Sequence, residues 1–151
     1  VDIDPDAVTV ASDGGTRQLR VFLPDGTNVT EVASGTRYFV SNPDVVTISA
    51  SGLVTGLAAG EAEVTVLHGG AEKVFRVKVD APVDGPAVIG TEGGIVRGND
   101  GSTVAVAPGA LAGNATVGIT RLADTDAPYG APDGFDVAAV FRLDVSTGKM
   151  G

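Results

Sequence analysis

What most restricts this chain is the rhythm of its first eighty residues. Apolar and polar side chains alternate in short runs, each closed by glycine, proline, asparagine or aspartate. About seven runs read this way: AVTVA (7–11), TRQLRVFL (16–23), a weaker NVTEVA (28–33), TRYFV (36–40), VVTIS (45–49), EAEVTVL (61–67) and EKVFRVKV (72–79). A period of two sends successive side chains to opposite faces, the signature of a half-buried strand, and no stretch offers a competing helix of three turns. The turns carry their own chemistry. Pro24-Asp25-Gly26 and Asn42-Pro43-Asp44 pre-set tight reversals, and Gly69-Gly70 supplies the positive φ of a hairpin.

Parity assigns the faces. Phe75, Val77 and Val79 share one side of the last run, with Val74, Arg76 and Lys78 on the other. Leu19, Val21 and Leu23 point inward while Gln18 and Arg20 stay wet. Tyr38 and Val40, Val46 and Ile48, and Ala62, Val64 and Val66 complete an apolar layer between two sheets packed about 10 Å apart. Within SGLVTGLAAGEAEVTV (51–66), the glycines at 52, 56 and 60 read as corners of such a sandwich, where positive φ or close backbone approach is needed.

After residue 80 the text changes. APVDGP (81–86) has two prolines, a glycine and no period, and reads as a short, semi-rigid linker between a domain at 1–80 and a second at 87–151. Strand signals resume with AVIG, GGIVRG, STVAVAP (102–108) and ATVGITRL (115–122). A loop rich in Asp, Pro and Gly (124–136) then leads to VAAVFRLDV (137–145), where Ala139, Phe141, Leu143 and Val145 share a face. About five strands are few for a closed sandwich. The second unit is therefore expected to be incomplete, or completed by residues or a partner outside this chain. The expected fold class is all-β: a two-sheet β-sandwich followed by this second sandwich-type domain.

Composition narrows the function classes. The 22 Gly and 8 Pro in 151 residues follow no three-residue period, which suits turns between many short strands, and a hydrophobic fraction of 43% is enough to build cores. A net charge of −9, with ten scattered basic residues, argues against a nucleic-acid partner, because a phosphate backbone requires a positive face. No cysteine is present, which removes disulfides, thiolate metal sites and thiol nucleophiles together. No apolar run reaches the roughly 18 residues of a membrane-spanning helix. The opening VDIDPDAVTV lacks a basic-then-apolar leader and the chain stops at STGKMG, so it reads as a fragment or a processed piece of something longer.

The segment from Tyr38 to Val66 carries a resemblance. Tyr38, the Ser41-Asn42-Pro43 turn, the strand from Val45 to Ser49, Ser51-Gly52-Leu53-Val54, the Ala59-Gly60 bend and the strand from Glu61 to Val66 follow in an order and spacing similar to the bacterial immunoglobulin-like group 2 domain. The likeness covers about residues 7–80, with Tyr38 where that family usually has tryptophan. Further on, Gly93-Gly94 and Pro108-Gly109-Ala110-Leu111 within STVAVAPGALAGNATVGITRL (102–122) resemble part of the ZU-type β-domain of zona-occludens proteins and netrin receptors. Some relatives of that domain cut their own chain at a His-Phe-Ser type site, a tripeptide this sequence lacks. The first resemblance implies a bead in a long surface or secreted protein that spaces, stiffens and sometimes binds; such domains are rarely catalysts.

Reactive constellations are sparse. Asp2, Asp4 and Asp6 imitate the start of a calcium loop, but the glycine expected at the sixth position is Ala7 and the glutamate expected at the twelfth is Asp13, so solvated carboxylates are the favoured reading. Asp80 and Asp84 flank the linker and could share a cation, again with solvation the favoured alternative. His68, the only histidine, sits at a hairpin tip with no GxSxG elbow to serve and reads as a turn residue. GLVTGLAAG and GTEGGIVRGNDG lack the Gly-Lys-Ser/Thr ending of a phosphate loop. Asn28-Val29-Thr30 and Asn114-Ala115-Thr116 fit a glycosylation pattern that also arises by chance. Lys73 shares parity with Phe75, which raises an intramolecular lysine–asparagine isopeptide bond against the plainer reading of a lysine snorkelling out at the strand mouth. No catalytic, cofactor-binding or metal-binding residue is assigned, and no cofactor.

The expected role is a non-enzymatic extracellular or cell-surface structural or adhesive module of a larger bacterial protein. Its partners would be neighbouring domains or subunits, a cell-surface protein or a glycan. Two rivals stand beside it: a filament subunit assembled by strand complementation, and an accessory carbohydrate-binding module. The second is disfavoured by the absence of tryptophan and the scarcity of other aromatics.

Overall fold

The computed structural model describes residues 1–134 and 136–147; residue 135 and residues 148–151 lie outside the described residues. It is all-β apart from two single 3₁₀ turns, and it divides into two compact units, Val1–Ala81 and Pro82–Gly151.

The first unit is a two-layer sandwich. One layer orders its strands β2 (Val8–Ala11), β9 (Ala71–Asp80), β8 (Gly60–His68) and β5 (Arg37–Val40). The other holds β3 (Thr16–Gln18), β7 (Leu53–Gly56) and β6 (Val46–Ile48), together with a separate pair, β1 (Asp2–Asp4) on β4 (Arg20–Phe22). Between them lies a core in which Leu19, Val21, Val46, Val54, Val64, Val66 and Val77 are fully buried, with Phe75 and Val79 nearly so. Tyr38, Val40, Leu23 and Ile48 pack against it half-buried. The inward faces expected from parity are the inward faces observed.

Departures from that reading have local causes. TRQLRVFL is two strands, not one. Leu19 N–H still donates to Gly52 C=O at 2.9 Å, but the next ladder position, Val21 N–H, donates to the Thr30 hydroxyl at 2.9 Å, and the pairing with β7 ends there. NVTEVA is not a strand. Asn28 Oδ1 accepts from both Thr30 N–H (3.0 Å) and Thr30 Oγ1 (2.6 Å), a local side-chain turn that competes with extension. A 3₁₀ turn at Val32–Ser34 follows, closed by Gly35 at φ 94°. Residues 2–4 pair along β4 and bury Ile3, so this end of the chain is structured; a single apolar residue between two aspartates is too short a run to register as a period.

Glycine spacing in 51–60 acquires specific reasons. Gly52 turns the chain at φ 79°. Gly56, inside β7, lies so close to β2 that a Cβ there would stand 2.5 Å from the Ala11 carbonyl oxygen.

In the second unit, β10 (Val83–Asp84), β12 (Gly94–Arg97) and β13 (Thr103–Val106) form one sheet, and β11 (Ala87–Ile89), β14 (Ala115–Leu122) and β15 (Val140–Thr147) another. The segment read as a linker thus contributes a strand: Val83 and Asp84 pair in parallel with Val96 and Arg97, and Gly85 N–H donates to Arg97 C=O at 2.9 Å. Two residues are too few to show a period. The core here is small, with Ile89, Val96 and Val117 buried and Ala87, Val104, Val106 and Leu111 packed against them.

Candidate functional site

The acidic candidates are not gathered into a site. Asp2 lies on β1, and its Oδ1 accepts from Lys73 Nζ at 2.8 Å and from Ile3 N–H at 3.0 Å. The lysine contact, and then the backbone one, hold the Asp2 carboxyl below the usual carboxylate range. Asp4 and Asp6 are exposed, and among the described residues no group of three His, Cys, Asp or Glu side chains is placed to hold a metal. Asp80 belongs to the first unit and Asp84 to the second. The Asp80 carboxylate is half-buried beside Lys78 Nζ at 3.2 Å, an ion contact without hydrogen-bond geometry. Lys73, the isopeptide candidate, is occupied by Asp2 at the edge of the sandwich, so its amine meets a carboxylate and not an asparagine amide.

His68 ends β8 and enters a buried polar thread that sequence reasoning did not single out. Its Nδ1 lies 3.0 Å from Thr36 Oγ1, and Thr36 is fully buried. The Thr36 hydroxyl spends its one proton on the Val29 carbonyl oxygen. It can therefore only accept from His68, which fixes the imidazole as an Nδ1–H donor. A second thread lies beside it: Tyr38 Oη donates to Thr30 C=O at 2.6 Å, and Thr30 serves Val21 and Asn28 as described above. Burial, and secondarily the charge of Glu31, push the Tyr38 phenol up to about 12. Asn28 and Thr30 of the first glycosylation triplet are thus partners in a turn, while Asn114 of the second is exposed just before β14.

What these residues do chemically is close orphaned backbone groups, since a carbonyl left bare inside a sandwich costs more than an average hydrogen bond contributes. The depressions on the surface are shallow. One of them, about 620 Å³ around Val88, Asn114 and Thr147, has no titratable side chain in its lining.

Two features of the strand order have consequences beyond packing. β2 lies beside β9 and runs parallel to it, in the register Val8 to Val77, Thr9 to Lys78, Val10 to Val79 and Ala11 to Asp80, extended by Ser12 N–H to Asp80 C=O at 2.9 Å. In the second unit, β15 stands at a sheet edge and pairs only with β14 among the described residues. Phe141, Leu143 and Val145 do share a face of β15. That face is not interior, since the three side chains remain 48%, 54% and 51% exposed.

The profile of the bacterial Ig-like domain (group 2) matches residues 1–79, more than half the chain. The chain belongs to this family. The match does not extend into the second unit. Among solved structures, the chain is similar to surface layer protein SbsC, domains 1–6, at 19% identity and a TM-score of 0.46; the likeness covers 96% of this chain and 22% of that one. The chain thus spans about a fifth of the length of that solved chain. No curated protein sequence matches it. The bacterial Ig-like unit accounts for both layers of the first sandwich, with Tyr38 tying its 3₁₀ region to the core. Among the described residues no helix is long and apolar enough to cross a membrane.

Proposed function

We propose that this chain is a non-catalytic, extracellular structural module of a larger bacterial surface protein, and that its first unit bears tension. The observation that carries the reading is the parallel neighbouring of β2 and β9. These are the entry strand of the main sheet and the exit strand of the unit. Tension between the ends of the Ig-like domain pulls the start of β2 and the end of β9 in opposite directions along one ladder. Its hydrogen bonds are then loaded together in shear, whereas an antiparallel hairpin pulled at its open end breaks them one at a time. β1, with only three residues on β4, yields first and leaves β2 as the clamp. Family membership supports a role in spacing and stiffening. Adhesion to a surface protein or glycan would be a further property of the same module.

The second unit is read as a ZU-type β-domain on the order β13, the corner Pro108-Gly109-Ala110-Leu111, then β14. In that corner Gly109 N–H donates to Thr91 C=O at 2.8 Å, and Leu111 packs on the small core.

Single-molecule stretching of the chain between reference domains tests the clamp. The expected trace has one sharp rupture for the first unit, releasing chain from Val8 to Asp80, about 250 Å at roughly 3.5 Å per residue. Val10→Pro, which removes a ladder N–H and packing from β2, lowers that force. A smooth extension, or a rupture force unchanged by Val10→Pro, refutes the reading.

A further inference from the structure

We infer that the edge of β15 is a two-fold docking site for a second copy of this chain, pairing β15 antiparallel with its counterpart about Leu143. The argument rests on a strand that is its own complement. β15 reads Val140-Phe141-Arg142-Leu143-Asp144-Val145-Ser146-Thr147, at the edge of its sheet, with Phe141, Leu143 and Val145 half-exposed on one face.

In antiparallel pairing, residues directly opposite share a face, and a two-fold axis at Leu143 sets Leu143 against itself and Phe141 against Val145 of the other copy. The apolar row then continues unbroken across the joint. On the opposite face the same axis sets Arg142 against Asp144 of the other copy, twice. These two groups already pair within the strand, Nε to Oδ2 at 3.1 Å with both side chains 60% exposed, so dimerisation converts one ion pair per strand into a ring of four charges.

Register is selected as well as permitted. Shifting the register by two residues either way puts Arg142 opposite Arg142 or Asp144 opposite Asp144, and like charges directly opposite are destabilising. Moving it by one puts the apolar row against the charged row. Longer slips shorten the ladder. The interface is isologous, so it closes at two copies and does not propagate into a fibre. It also covers an eight-residue edge that would otherwise invite indiscriminate strand addition.

Sedimentation velocity on the whole chain tests this at concentrations up to about 1 mM, because an interface made mainly by one strand pair is small and its affinity correspondingly weak. The wild type is expected to shift from monomer to dimer with concentration. Arg142→Asp and Asp144→Arg, each alone, bring like charges together and weaken association at least tenfold. An equimolar mixture of the two restores a one-to-one dimer, and the double exchange in one chain restores self-association. Both positions are exposed, so thermal unfolding should match the wild type in every variant. A wild type that stays monomeric at about 1 mM overturns the proposal. So do dimers indifferent to the single reversals, or a mixture that fails to associate.

Discussion

Replacing Gly56 with alanine should destabilise the first unit by about 2 kcal/mol, and the figure follows from one contact. A Cβ at this position would stand 2.5 Å from the Ala11 carbonyl oxygen and 3.0 Å from both Val10 Cγ2 and Val79 Cγ1, where ordinary contact begins at 3.4 Å. The valine methyls can yield a few tenths of an ångström. The carbonyl cannot, because it already accepts Gly15 N–H at 3.0 Å, and Gly56 is itself tied by Gly56 N–H to Gly15 C=O at 2.9 Å and by Gly14 N–H to its own C=O at 3.2 Å. Overpacking of this kind costs about 1–3 kcal/mol, and a backbone obstacle places it near the top of that range. Alanine returns up to about 1 kcal/mol by restricting the unfolded chain relative to glycine. For a unit of this size the net 2 kcal/mol corresponds to a fall in Tm of roughly 8–16 °C. Calorimetry would show it in the transition of the first unit, followed in parallel by near-ultraviolet dichroism of half-buried Tyr38. Gly113→Ala, with open space around its Cβ, serves as the silent control. A shift under about 3 °C for Gly56→Ala would mean that β2 and β7 can separate freely, and the close-approach argument would fail.

Thr36→Val deletes the hydroxyl that links Val29 C=O to His68 Nδ1 and leaves a buried carbonyl bare. A loss of about 2 kcal/mol by urea denaturation is expected, with Thr36→Ser recovering most of it, and equal stability for both variants would contradict the thread. Tyr38 supplies a pH dependence whose sign is fixed. Its folded-state phenol titrates near 12 against an ordinary value of 10.0, so between those pH values the unfolded chain releases a proton that the folded chain retains. Stability contributed by Tyr38 is therefore fully present below pH 10 and lost as pH rises toward 12, and Tyr38→Phe should flatten that part of a Tm-against-pH curve.

Much of the first unit was legible because its strands announce themselves by parity over four or more residues. Phe75, Val77 and Val79 could be placed inward without knowing what lay opposite, and β8 and β9 begin and end within one or two residues of their expected limits. The segments 16–23 and 28–33 were misread for one cause. Where a side chain does the work of a ladder bond, alternation says nothing: the Thr30 hydroxyl receives Val21 N–H, and Asn28 folds back on Thr30. Thr36 was invisible for the same reason, since a threonine in TRYFV looks like any strand residue until its partners are known. The neighbouring of β2 and β9 was equally out of reach, because pairing between strands about seventy residues apart is decided by the closure of the whole sandwich and not by either strand's composition.

The second unit separates two statements that parity tends to merge. That Phe141, Leu143 and Val145 share a face follows from period two alone. That the face is covered depends on a second layer, and the sheet of β10, β12 and β13 buries Val117 on β14 but leaves Val145, its direct cross-strand neighbour, half in solvent. The core stops within one strand. An apolar row with a free edge either finds a partner or remains a liability, and the two charges that alternate with this row decide between partners, because opposite signs at Arg142 and Asp144 favour one two-fold register of β15 on itself and penalise its neighbours.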